Sequence, residues 1–208
     1  PRIQPGGSGF VNCSEGWDPI EVPASLSRKE GDLHPQGNPH FNLDPRAGPH
    51  LARRVLEALV TADPGNEAGY RQRHADYLGR LEQAGRRWRE RGAALAGQKV
   101  VVYHVEFNYL VRYHDMELVT AVEPKPGIPP GPRDVSRVIQ LVREAKVPVI
   151  LTAAWSNNRQ VAEVARKGGA QLLELPNQVG GAPWATSWID LIDGIQLRLL
   201  EAYGASPP

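Results

Sequence analysis

The chain of 208 residues has a single cysteine, Cys13, so no internal disulfide can form and no thiolate metal cluster can be built. It also lacks an excess of charge. Its 24 basic and 23 acidic residues leave a net +1, which gives no field for gripping nucleic acid or an anionic membrane. No apolar run approaches the ~20 residues of a membrane-spanning helix. The opening, Pro1-Arg2-Ile3-Gln4-Pro5-Gly6-Gly7, has neither Met nor a basic-then-apolar signal segment, and the expectation is a mature product or a fragment. The bulky Tyr103-His104-Val105-Glu106-Phe107 follows the first strand-like run where a Gly-rich phosphate loop would stand, which removes the usual nucleotide reading. A Gly-x-Ser-x-Gly elbow is missing as well. Ser8 falls in a loop with no strand ahead of it, and this disfavours a serine hydrolase.

What remains is a globular composition, 41% apolar, with 21 glycines and 19 prolines that predict long irregular segments. Residues 1–46 show no sustained period; only Ile20-Glu21-Val22 hints at a strand. So long an irregular stretch reads as the tail of a lobe whose earlier strands lie outside this chain. From about Ala47 to Thr61 an apolar stripe of Leu51, Val55, Leu59 and Val60 predicts a helix. Asp63-Pro64-Gly65-Asn66 breaks it, and Asn66 is placed to cap the next helix. Between Glu67 and about Ala94, the residues Tyr70, His74, Tyr77, Leu81, Ala84 and Trp88 step by four and three along one narrow seam. The other faces are dense in Arg, Gln and Glu. Such a helix is a solvent-facing strut between two bodies rather than a core element.

After Gly97 the pattern changes. Residues 98–103, 118–122, 147–152 and 170–175 are short, nearly continuous apolar runs, as in parallel strands buried on both faces. Helical segments alternate with them at 107–113, 132–146, 158–167 and 187–203. The expected fold is α/β: a doubly wound parallel four-stranded C-terminal lobe, joined by a long helix to a truncated N-terminal lobe. The predicted division is 1–66 as the remnant of a first lobe, 67–97 as linker helix and 98–208 as the second lobe.

Ligands of open parallel sheets bind beyond the strands' carboxyl ends. That rule selects His104 and Glu106, Glu123, Thr152 to Trp155, and Asn177-Gln178. Among the other histidines, His74 reads as seam packing and His50 and His114 as solvent-facing residues near helix ends. His34 and His40 lie six apart on a loop, a spacing that fits no helical zinc pair. Cys13 has no His near it and reads as a small loop residue.

Taken together, Gly37-Asn-Pro-His40-Phe-Asn-Leu-Asp44-Pro45 before a helix, Asp63-Pro-Gly-Asn66 before a long one, and a strand ending in His104 form a recognisable order. With Glu123-Pro-Lys-Pro-Gly-Ile-Pro-Pro130 and Leu175-Pro-Asn-Gln-Val-Gly-Gly181, they resemble the zinc- and manganese-type solute-binding proteins of bacterial ABC importers. The resemblance runs through nearly the whole chain. It implies two α/β lobes joined by one rigid helix, with a metal ion held between them and delivered to a membrane permease. It further implies a periplasmic or extracellular location, with a lipid anchor on the precursor, and no enzymatic activity.

Residue by residue, the resemblance makes His40 and His104 metal ligands. The family's early His has no counterpart here, nor does the carboxylate after its last strand, where Leu175-Pro176-Asn177-Gln178 stands. Glu123 is the candidate replacement and His34 a loop residue within reach of the ion. An imidazole-dominated set favours Zn²⁺ over Mn²⁺, which prefers oxygen-rich sites. With the first lobe incomplete, the expectation is weak or absent metal binding by this chain and self-association over exposed apolar surface. Two alternatives stand beside this reading. One is a helix-linked binder of a chelated metal, siderophore or cobalamin, its cleft lined by Trp155, Trp184 and Trp188, which otherwise read as lobe packing. The other is a metal-dependent hydrolase using His34, His40 and His104, with Glu106 or Glu123 as base.

Overall fold

A computed structural model of the protein describes residues 3–7, 9–24, 34–156 and 158–205. The loop serine Ser8 lies outside them. The chain divides into two compact units, Pro1–Asp18 with Arg46–Arg87, and Pro19–Pro45 with Trp88–Pro208.

In the first unit, helix α1 (Ala47–Ala62) follows an irregular N-terminal segment. That segment is fastened locally: the His50 ring meets the Cys13 carbonyl through Nε2 at 2.9 Å and stands edge-on to Trp17, while Arg54 pairs with Glu15. A 3₁₀ turn, Pro64–Asn66, leads into α2 (Glu67–Gly92), 26 residues long. Along its seam Leu81 and Ala84 are buried, whereas Tyr70, His74 and Tyr77 are half-buried; the last residues of the helix, from the buried Trp88, belong to the second unit. Asn66 donates its amide to the Asp63 carboxylate, and Tyr70 donates its hydroxyl to the same group.

The second unit holds a parallel sheet of β1 (Lys99–Val102), β2 (Glu117–Ala121), β3 (Val149–Ala153) and β4 (Gln171–Leu175), in the order β2-β1-β3-β4. Helices α3 (Asn108–Tyr113), α4 (Pro132–Ala145), α5 (Asn158–Gly168) and α6 (Trp188–Ala202) alternate with the strands. Successive side chains of a strand point to opposite faces, so a strand covered on both sides must be apolar throughout. Val100, Val102, Val149 and Leu151 pack with Leu110, Leu191, Ile195 and Leu199 of α3 and α6. Val101 and Ile150 pack on the other face with Val138, Val142, Val161 and Val164 of α4 and α5. Complete burial of each such side chain stabilises the unit by roughly 1.5–3 kcal/mol. The doubly wound α/β architecture is as the apolar runs foretell, but only the central β1 and β3 are buried along their length. The edge strands β2 and β4 are partly exposed, contrary to the expectation of burial on both faces.

Two expectations need correction. Ile20–Val22 is no strand; Glu21 has φ +56°, the Ile20 carbonyl accepts the Asn38 N–H, and the Ile20 N–H donates to the Tyr109 hydroxyl. His114 is not solvent-facing but 4% exposed, because the chain after α3 turns under Gly92 and α6. No helix of the described residues is long and apolar enough to cross a membrane.

Candidate metal centre

Strand β2 lies on one side of β1 and β3 on the other, so the winding reverses between β1 and β3. In open α/β sheets the crevice for a ligand opens beyond the carboxyl ends of such a pair. Here it is a cleft of about 350 Å³, lined by His34, His40, Tyr103, His104, Glu123 and, on its rim, Trp155.

Each side chain arrives for a local reason. His104 is the second residue beyond β1, and Glu123 the second beyond β2. The two strand ends stay paired past the sheet, with Val122 N–H donating to the Val102 carbonyl and Glu123 N–H to the Tyr103 carbonyl. The Glu123 carboxylate thus meets the His104 ring at Nδ1, 2.7 Å away. His40 opens the 3₁₀ turn Phe41–Leu43. That turn is tied down by Trp188, whose indole N–H donates to the Asn42 carbonyl, and by Asn42, whose amide donates to the Asn177 carbonyl. Just ahead, Gly37 has φ +94°, and a Cβ there would stand 2.7 Å from the Ile20 carbonyl oxygen. Only glycine turns the chain at this point without strain.

The His40 and His104 rings lie 5.5 Å apart, centroid to centroid, at right angles. Burial, then the neighbouring His104 and His34, lower the His40 pKa from 6.5 to about 4. At neutral pH the ring is therefore uncharged, the form in which imidazole binds a cation. Glu106, the candidate base, is wholly buried and absent from the cleft lining. One of its oxygens accepts the Ala153 N–H, and burial raises its pKa. Thr152 is also fully buried, and Asn177 engages Asn42 through its carbonyl. Trp184 packs against the core and Trp188 is held by Asn42 and Trp88, but Trp155 is 67% exposed, contrary to a packing role.

Among the described residues no three His, Cys, Asp or Glu side chains already converge in a geometry that could hold a metal ion. The preformed element is the imidazole pair with its carboxylate. Sequence reasoning missed Tyr103 as lining and Asn38 as the anchor of His40. The position of Asn38 in Gly37-Asn38-Pro39-His40 was visible, but its partners are 17 and 67 residues away.

Fold and cleft together define the class: a doubly wound α/β unit following a long helix, with imidazoles gathered at its switch point. The pattern of the family described as zinc-uptake complex component A, periplasmic, matches residues 4–202, and the chain belongs to that family. It is 24% identical over 151 residues to the iron-binding protein YfeA of Yersinia pestis, covering 70% of this chain and 48% of YfeA. It is 22% identical over 168 residues to the high-affinity zinc uptake system protein ZnuA of Bacillus subtilis, covering 78% and 52%. The chain thus spans about half the length of these relatives. Among solved structures it is similar to a crystal structure of ZnuA, with TM-score 0.76 and 19% identity over 93% of this chain and 70% of that one. It is also similar to FpvC of Pseudomonas aeruginosa in complex with Mn²⁺, with TM-score 0.72 and 21% identity over 93% and 68%. At these identities the likeness concerns the fold.

Proposed function

We propose that this chain captures a divalent metal ion, zinc foremost, as the solute-binding component of a bacterial ABC importer, and hands it to a membrane permease. The approach of the His40 and His104 rings to 5.5 Å inside the switch-point cleft carries this reading. His40 and His104 are the ligands, and His34 is the third donor at the cleft. Two or three neutral imidazoles suit tetrahedral Zn²⁺ better than Mn²⁺. The ion is cargo, so no chemistry is asked of the protein. Of the two candidate bases of a hydrolase, Glu106 is buried out of the cleft and Glu123 is engaged by the His104 ring, which supports a binding role. A periplasmic or extracellular location goes with this role. Residues 1–66 are assigned to a first lobe, 67–97 to a linker helix and 98–208 to a second lobe.

Because the donors converge only in part, we expect one-to-one zinc binding in the micromolar rather than nanomolar range, on the order of −8 kcal/mol. Isothermal calorimetry checks this. Loss of zinc heat in His40→Ala and in His104→Ala supports the reading, and unchanged titrations in both variants overturn it.

A second reading draws on the exposed Trp155 at the rim of a 350 Å³ cleft, which is roomier than a bare ion needs. In it the cargo is a chelated metal, with the indole stacking on the organic part. Quenching of Trp155 fluorescence by a ferric chelate but not by zinc alone would favour it. On α1, Val55 and Leu59 are 48% and 41% exposed, and we assign this face to self-association. Sedimentation velocity across a concentration series tests that: a single monomer boundary throughout would contradict it.

A further inference from the structure

We propose that Glu123 is a positioning residue rather than a ligand: it holds His104 in the tautomer protonated at Nδ1 and so leaves Nε2 as the nitrogen that meets the cation. This rests on the reading of His104 as a ligand and specifies how it is prepared.

The geometry begins in the backbone. Glu123 N–H donates to the Tyr103 carbonyl at 3.0 Å, which sets the carboxylate beside the residue after Tyr103. Oε2 of Glu123 then lies 2.7 Å from His104 Nδ1, with the two side chains only 12% and 18% exposed. The Gly127 N–H donates to the same Oε2 at 3.3 Å. A carboxylate oxygen accepts the Nδ1–H of the ring, and in the uncharged imidazole that leaves Nε2 as the nitrogen without a proton.

The two ring nitrogens point to opposite sides of the imidazole. One carboxylate therefore cannot hold Nδ1 and also reach an ion bound at Nε2. Ligation by Glu123 and orientation by Glu123 exclude each other, and the 2.7 Å contact favours orientation. Carboxylates placed behind metal-binding histidines fix ring and tautomer in this way, and their removal typically costs 10–100-fold in affinity.

The test uses ¹⁵N-histidine-labelled protein, first without metal and then titrated with zinc chloride. In the metal-free protein the His104 nitrogens are expected to report the Nδ1–H tautomer. Glu123→Ala should shift them toward the Nε2–H form and weaken zinc binding at least 10-fold. Glu123→Gln keeps an oxygen acceptor for Nδ1–H, so it should retain the tautomer and stay within about threefold of wild type. A tautomer unchanged in Glu123→Ala overturns the proposal, as does a Glu123→Gln protein that loses zinc as fully as His104→Ala. A Glu123-dependent tautomer in a protein that takes up no zinc supports the positioning and overturns the metal reading instead.

Discussion

Asn38 donates its side-chain amide to the Val105 carbonyl at 2.9 Å while its Oδ1 accepts the His40 N–H, also at 2.9 Å. One side chain, 5% exposed, therefore joins the two segments that carry the cleft's central histidines. The same amide donates to Glu21, and the Asn38 carbonyl accepts the Tyr109 hydroxyl. Asn38→Ala strands the His40 N–H and the Val105 carbonyl. It should cost about 2–3 kcal/mol of stability and loosen the imidazole pair. A lower urea midpoint at unchanged slope, with zinc affinity down about 10-fold, is the expected result. Wild-type values on both counts would show that the bridge does not set the pair.

Gly37→Ala attacks the same segment from the backbone. It places a Cβ at φ +94° and 2.7 Å from a carbonyl oxygen, so both conformation and space oppose it. A loss of about 1–3 kcal/mol is expected, read from the thermal midpoint. A stability gain, as an ordinary loop Gly→Ala change gives, would contradict a turn that only glycine can make.

Stability should fall in acid through His114. Burial lowers its pKa from 6.5 to about 4, a shift that nearby Asp44 only partly opposes. Between those values the unfolded chain takes up a proton that the folded one refuses. The stabilisation is thus complete above pH 6.5 and drains away as pH falls toward 4, about 3 kcal/mol in all. His40 contributes in the same window with the same sign, but less, since it is more exposed. Urea melts of His114→Asn from pH 7 to 4 should show a flatter decline than wild type. An equal slope would assign the pH dependence elsewhere.

Trp155, at 67% exposure, offers a contrast. Trp155→Ala should change stability by no more than about 0.5 kcal/mol in chemical denaturation. A loss of several kcal/mol would restore the packing role.

The sheet and its helices were legible because a strand covered on both faces has to be apolar at every position. The runs at 98–103 and 147–152 announce β1 and β3 to within two residues. The long helix was legible from its three-four stepping, confirmed by burial at Leu81, Ala84 and Trp88. His114 was misjudged because it packs beside Gly92, 22 residues earlier and silent in local pattern. The proximity of His40 and His104 came only from a family resemblance. Across 64 residues of separation, periodicity says nothing about which loop meets which strand end. Glu123 was visible at a strand end, but its contact with Nδ1 depends on how two strand ends pair.

The central claim is that His40 and His104 bind one cation together, and a double-mutant cycle in zinc affinity tests it most directly. Calorimetric titrations of wild type, His40→Ala, His104→Ala and the double variant give the coupling between the two rings. Shared ligation predicts that either single substitution removes most of the affinity and that the double removes little more. Losses that add independently, or a wild-type protein without zinc heat, would contradict it.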